Sequence, residues 1–290
     1  MATARDSAPS HVYYFELGRG SWRGRFAFRV TSWRGFWHER LAALSARLEA
    51  RARELDARKD SRAVFTHAYS LMTAQIASEL PTDPSFDPTW TVALAEAFAA
   101  RYFAALDAYD RRDGVPPAWD AVFGAIGDRR TSVIEDLVFA MTAHIVRDLP
   151  HALLDVGLRD SAGRPHIHDF QAVNDVLGHE IQAIVDATSR EYGRFVKFLD
   201  RLGKPYDRII TNYGIRLSRG VAWYNAVRLE SPDEAADAAA SIEKSPKVVV
   251  DQLLNPPVWS LRIALRFVRW LLGFFRKWPE AGPASRRSVL

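Results

Sequence analysis

The chain has 290 residues, 48% of them hydrophobic and 26% charged, the balance of a globular protein with a core of its own. Its 39 Lys and Arg against 35 Asp and Glu leave a net charge of only +4, and it holds no cysteine. Disulfides, thiolate metal sites and a cysteine nucleophile are therefore excluded. The arginine excess sits near the two ends with no basic stripe along the body, so nucleic acid is not expected as a partner.

The opening MATARDSAPS lacks the apolar centre of a signal peptide. No stretch reaches about 18 uncharged apolar residues, so no membrane-spanning helix is expected. A cytoplasmic location, with peripheral contact at a membrane as an option, follows as the expectation.

From Val12 to Trp33, Phe26, Phe28 and Val30 alternate with Arg25, Ala27, Arg29 and Thr31. That period of two predicts a half-buried strand, and Gly18 to Ser21 is a turn signal before it. The reading is a β-hairpin, marginal alone in water, lying on the body or pairing with another chain.

After Phe36 the pattern is helical. Helices are predicted over Phe36 to Lys59, and over Ser61 to Leu80, whose scant polar surface makes it central. Asp87 and Pro88 read as N-cap and first helical residue of a helix to about Asp110. A short helix covers Trp119 to Ile126. A longer one covers Thr131 to Gly157, with Pro150 expected to kink it or end a turn. Asp169 to Leu202 and Pro205 to Leu229 follow. Ser231 and Glu234 suggest a capping box for a short Ala-rich helix. The fold class is mainly α: one helical domain at 36–255, an N-terminal tail and β-hairpin at 1–35, and an amphipathic helix with a tail at 256–290.

The helix over 131–157 carries the chemistry. Ile134, Leu137 and Met141 form an apolar stripe that continues at the same spacing as His144, Asp148, His151 and Asp155. Such groups on a buried face must pair or bind a metal. Imidazole and carboxylate one turn apart suit zinc, iron or manganese. The same spacing also suits a His–Asp pair in which Asp fixes the tautomer of a general base. A polar network that only satisfies itself is the third option.

A second polar cluster, His166, His168 and Asp169, opens the next helix. Asp169 is either an N-cap or a ligand, and at most one of the two histidines should face inward. Asn174 shares an apolar stripe with Phe170, Leu177 and Ile181 and needs a partner, for which the His144 row is the natural source. His67, in the central helix, reads as a satisfied core residue.

Val258 to Trp278 is the clearest amphipathic stretch. Arg262, Arg266, Arg269 and Arg276 follow one side, while Trp259, Ile263, Phe267, Trp270, Leu271, Phe274 and Trp278 form the other. That composition suits a helix lying in a membrane interface, or one docked on its own domain or on a second copy.

The run Val64-Phe65-Thr66-His67-Ala68-Tyr69 is followed by Phe86-Asp87-Pro88-x-Trp90, Phe98-Ala99-x-x-Tyr102 and Val115-Pro116-x-Ala118-Trp119. Next come Met141-Thr142-Ala143-His144-Ile145-x-x-Asp148-Leu149-Pro150 and Asp169-Phe170-x-x-Val173-Asn174 with Leu177 beyond. These resemble an uncharacterised, mostly bacterial helical family catalogued as a domain of unknown function, over residues 60–230. The resemblance implies a helical fold and supports His144 and Asp148 as the site, and it brings no activity. The His-x-x-x-Asp pairs are also similar to those of zinc phospholipase C and single-strand nucleases, although the ligand order differs and no N-terminal Trp ligand is present.

The expectation is a metal-dependent helical enzyme, hydrolytic in kind, acting on a small apolar or lipid-like ligand. His144 and Asp148 would be metal ligands or base and orienter. His151 would be a further catalytic or ligating group, Asp155 and Asp169 supporting ligands, and Asn174 a contact to substrate or cofactor. The rival is a non-catalytic binding or assembly protein in which the polar row is structural.

Overall fold

A computed structural model describes residues 33–81, 83, 85–127, 131–192, 212–274, 276 and 278. Helix α1 (Trp33–Ala57) buries Trp37, Leu41, Leu44, Leu48, Ala52 and Leu55. These recur at three- and four-residue steps, one face of a helix, and that face packs on α2 (Ala63–Ser78). In α2 every residue from Ala63 to Ser70 is buried. A helix apolar on all sides belongs in the centre of a fold, and α2 is packed against α1, α5 and α7.

Helix α3 (Pro88–Arg111) starts as expected: the Asp87 carboxylate accepts from the backbone N–H of Thr89 at 2.8 Å and of Trp90 at 3.1 Å. Its far end is closed by Arg112 in the left-handed region. Helix α4 (Pro117–Gly127) inserts Trp119 and Phe123, stacked 4.7 Å apart, into the main core. Helix α5 (Val133–Ala143) opens on a reciprocal cap between Ser132 and Glu135. A π turn (His144–Asp148) and α6 (Leu149–Val156) continue it. Helices α7 (Ile167–Tyr192), α8 (Asn212–Glu230), α9 (Ala235–Leu254) and α10 (Trp259–Phe274) complete the described chain.

The chain is thus mainly α. The hairpin predicted at Val12 to Trp33 lies outside the described residues except for Trp33, which begins α1. The helix predicted as short beyond Ser231 is the long α9, which runs through Pro246. Its predicted capping box does not form, because the Glu234 carboxylate takes the Arg228 Nε at 2.7 Å instead. His67 is the satisfied core residue expected, with Nδ1 3.0 Å from a Glu49 carboxylate oxygen.

Candidate active site

The stripe that pointed to a site is interrupted by the π turn. The Leu149 N–H donates to the His144 carbonyl, five residues back. Pro150 accounts for the widening. It has no N–H for the Val146 carbonyl, and its ring would press on that carbonyl in a regular helix. The extra residue turns the following helix by about 100° relative to α5. His144 and Asp148 are therefore 3% and 0% exposed, while α6 buries Leu149, Pro150, Ala152 and Leu153 in place of His151 and Asp155.

This corrects the expected metal set. Asp155 is exposed and forms a forked ion pair with Arg101 at 2.7 and 2.9 Å. His151 is only part-buried, its carbonyl accepts from Arg101 at 3.3 Å, and burial beside the Arg101 and Arg147 cations lowers its pKa. Asp169 joins His166 Nδ1 at 2.8 Å and the Asp87 backbone N–H at 2.8 Å, tying the start of α7 to that of α3. No group of three or more possible ligands converges among the described residues. Of the five predicted ligands, His144 and Asp148 pair with each other, Asp155 with Arg101 and Asp169 with His166, so the five do not converge as a metal centre would need. His166 is the inward member of its pair, stacked on Trp90 at 4.6 Å, and His168 is exposed.

What remains is a buried His–Asp dyad. His144 Nδ1 and an Asp148 oxygen are 2.9 Å apart. The same oxygen accepts from Trp119 Nε1 at 3.0 Å, and its twin accepts from Arg147 Nη1 at 2.9 Å. Both carboxylate oxygens are thus committed to donors, the only way such a charge is held in a dry interior. Arg147 is fixed in turn by Glu243 of α9 at 2.8 Å. With both Asp148 oxygens accepting from donors, His144 donates from Nδ1, which leaves the Nε2 lone pair free.

The imidazole is held in an aromatic box. It stacks on Phe98 at 3.5 Å and 7°, and meets the edges of Tyr69, Phe65 and Tyr102 at 4.7, 5.5 and 5.7 Å. Burial lowers its pKa, against the opposing pull of Asp148, so the ring is neutral at pH 7. Nε2 is buried and has no hydrogen-bond partner among the described residues.

His144 lines an apolar cavity of about 80 Å³ walled also by Phe65, Tyr69, Phe98, Met141, Ile145, Leu149, Val173, Leu177 and Ile215. A single water needs roughly 10–15 Å³ by the same measure, so the cavity has room for several waters or a slim apolar group. Tyr69 and Thr91 line the same cavity, and among the described residues the Tyr69 hydroxyl and Thr91 Oγ1 are also buried without a partner. Buried polar atoms are nearly always satisfied. Three unsatisfied ones belong to residues that line this one cavity, which makes it the candidate ligand site.

The sequence model of one family matches residues 41–256. The chain belongs to DUF5995, a family of unknown function. The match begins within α1 and ends just after α9, wider than the 60–230 of the resemblance and short of α10. No curated protein and no solved structure matches the chain. The runs that carried the family resemblance converge here: Phe65, Tyr69, Phe98, Tyr102, Trp119, His144 and Asp148 all form the dyad or its box.

Asn174 is buried as expected, but its partner is not the His144 row. Its side-chain oxygen accepts from Arg219 Nε. Arg219 itself escaped the sequence reading, yet the signal was present. Ile215, Arg219, Ala222 and Ala226 form one buried stripe of α8 at four- and three-residue steps, so a charged residue stands where the pattern demands an apolar one.

Proposed function

We propose that this DUF5995 protein is an acid–base enzyme of hydrolytic type, acting on a small and mostly apolar substrate in the α2–α3–α7–α8 cavity, with His144 as general base. One observation carries the reading: a neutral, oriented imidazole in the wall of an apolar cavity, its Nε2 buried and unpartnered among the described residues. In this mechanism Nε2 takes a proton from water as the oxygen attacks an ester or amide carbonyl. Asp148 stabilises the imidazolium that forms, and the proton passes to the leaving group as the intermediate collapses. The Tyr69 hydroxyl, whose pKa burial raises well above its ordinary value, stays protonated and can donate to the oxyanion. Metal ligation is not part of this reading, because the expected ligands are dispersed.

The test is a panel of p-nitrophenyl esters with acyl chains of increasing length. Hydrolysis should favour short apolar chains and fall by about 100-fold or more in His144→Gln. If every ester is inert, or His144→Gln hydrolyses as well as the native chain, the catalytic reading fails. A non-catalytic binding role for the same cavity would then stand.

A second proposal concerns location. Trp259, Phe267 and Trp270 on α10 are 72%, 61% and 69% exposed. An aromatic face of this kind marks a contact surface, and its Trp and Phe content suits a lipid interface. We assign α10 to peripheral contact with a membrane, with self-association as the rival outcome.

A further inference from the structure

Arg219 is the group that the acid–base chemistry leaves unused. It is buried, lines the cavity and stacks its guanidinium 4.4 Å above the Phe170 ring. Its Nε donates to Asn174, a neutral amide. Among the described residues no carboxylate pairs with it, and its terminal nitrogens are in no hydrogen bond. The buried Arg62 and Arg269 and the half-buried Arg147 differ: Arg62 has Asp60 and Asp110, Arg147 has Asp148 and Glu243, and Arg269 has Glu135. Burial without a counter-charge pulls the Arg219 pKa down to about 10, so it is still a cation at neutral pH. A lone buried cation is destabilising, and a fold that keeps one beside a cavity has a use for it.

We propose that the ligand of this cavity is a small amphipathic monocarboxylate, its carboxylate on the terminal nitrogens of Arg219 and its apolar body between Phe65, Phe98, Ile145 and Leu177. The inference rests on reading the cavity as the ligand site but not on what His144 does there. Phe170 and Asn174 fix the plane of the guanidinium, so its fork is preset for the two oxygens of a carboxylate. The charge count favours a monoanion. His144 is neutral and Asp148 is committed to Arg147, so one negative charge balances Arg219 and a phosphate dianion would leave an excess charge in an apolar site.

Binding of hexanoate, hexan-1-ol, hexylamine and hexyl phosphate to the full chain tests this by calorimetry. Hexanoate should bind about 10- to 100-fold more tightly than hexan-1-ol, the value of a charge-assisted hydrogen bond, and hexylamine should not bind. Arg219→Leu should abolish the preference for hexanoate while hexan-1-ol binds as before. Should Arg219→Leu fail to fold, arginine-labelled native protein answers the same question: hexanoate must shift the Arg219 Nε resonance and hexan-1-ol must not. Equal affinity for acid and alcohol, or an unmoved Arg219 resonance at saturation, overturns the proposal. Tighter binding of hexyl phosphate overturns the monocarboxylate assignment. Inert esters with the hexanoate preference intact sink only the catalytic reading, and ester hydrolysis without that preference sinks only this one.

Discussion

At the scale of single residues, Asp148 is the hub. It receives His144, Trp119 and Arg147, and substituting it strands all three. Asp148→Asn should destabilise the chain by about 3–5 kcal/mol, the range for breaking a buried ion pair. His144→Gln should cost about 1–3 kcal/mol, the desolvation of unmet partners. Urea unfolding of both variants at pH 7 checks the order, and a milder Asp148→Asn would show that the carboxylate is not the organising group. The pH dependence follows from the depressed His144 pKa. The folded chain holds His144 neutral, while the unfolded chain protonates it near its ordinary value of about 6.5. The folded state therefore binds fewer protons, and this contribution, complete above that value, is lost as pH falls below it. Asp136 acts with the opposite sign. Burial raises its pKa to about 6, so its contribution is present at acid pH and lost as pH rises through 6. The native chain alone would mix the two. The difference in stability between native and His144→Gln isolates the histidine, and that difference should shrink on going from pH 7 to pH 5. A difference that grows on acidification would mean that His144 is charged in the fold.

At the scale of elements, the helices were legible because each obeys a local rule. Asp87 and Pro88 announce α3, and the apolar run of α2 announces a central helix. The dyad was legible for the same reason, as two polar residues on an apolar stripe one turn apart. What a strict 3.6 period cannot show is the π turn, and so His151 and Asp155 were placed on a face that they do not share. Pro150 was visible as a disturbance, but a kink, a stop and an inserted residue are indistinguishable from the letters alone. Arg219 was missed although it breaks its stripe as plainly as His144 does, because its cation–π and amide partners come from α7, far away in sequence. The π turn can be tested directly. Pro150→Ala restores the missing N–H and removes the ring, so a regular helix becomes available across 144–150. The variant should remain folded by circular dichroism but lose the fixed Nδ1–H tautomer of His144 in nitrogen-15 NMR. An unaltered tautomer would mean that aromatic packing on Phe98, rather than proline, sets the turn.

At the scale of the whole molecule, α10 is amphipathic as its sequence shows, but Arg269, and Arg276 just beyond the helix, are turned inward, while Arg266 is exposed. Arg269 meets Glu135 at 2.9 Å and the Leu253 carbonyl at 2.6 Å, and Arg276 meets Asp136 and, at 2.6 Å, Ser61. Two of the four cations expected to meet anionic lipid are thus spent on the first turn of α5, the helix that leads into the dyad, and Trp259, Phe267 and Trp270 are turned outward. Asp136 is fully buried, so Arg276→Ala leaves a lone charge there. The loss should be about 3–5 kcal/mol above pH 6 and smaller at pH 5, where the Asp136 carboxyl is mostly protonated. A loss that does not vary with pH would separate Arg276 from Asp136. Lipid contact makes a matching prediction. With Arg269 and Arg276 turned inward and Arg266 exposed, the chain should bind neutral vesicles through Trp259, Phe267 and Trp270, and anionic lipid should add roughly 1 kcal/mol for Arg266 rather than for each of the four arginines. Changing those aromatics to Ser together should abolish binding and leave stability nearly unchanged, because none of the three is buried. Vesicle binding that survives the triple change, or a monomer–dimer equilibrium that the change abolishes in the absence of lipid, would replace the membrane with another surface, in the second case a second copy of the chain.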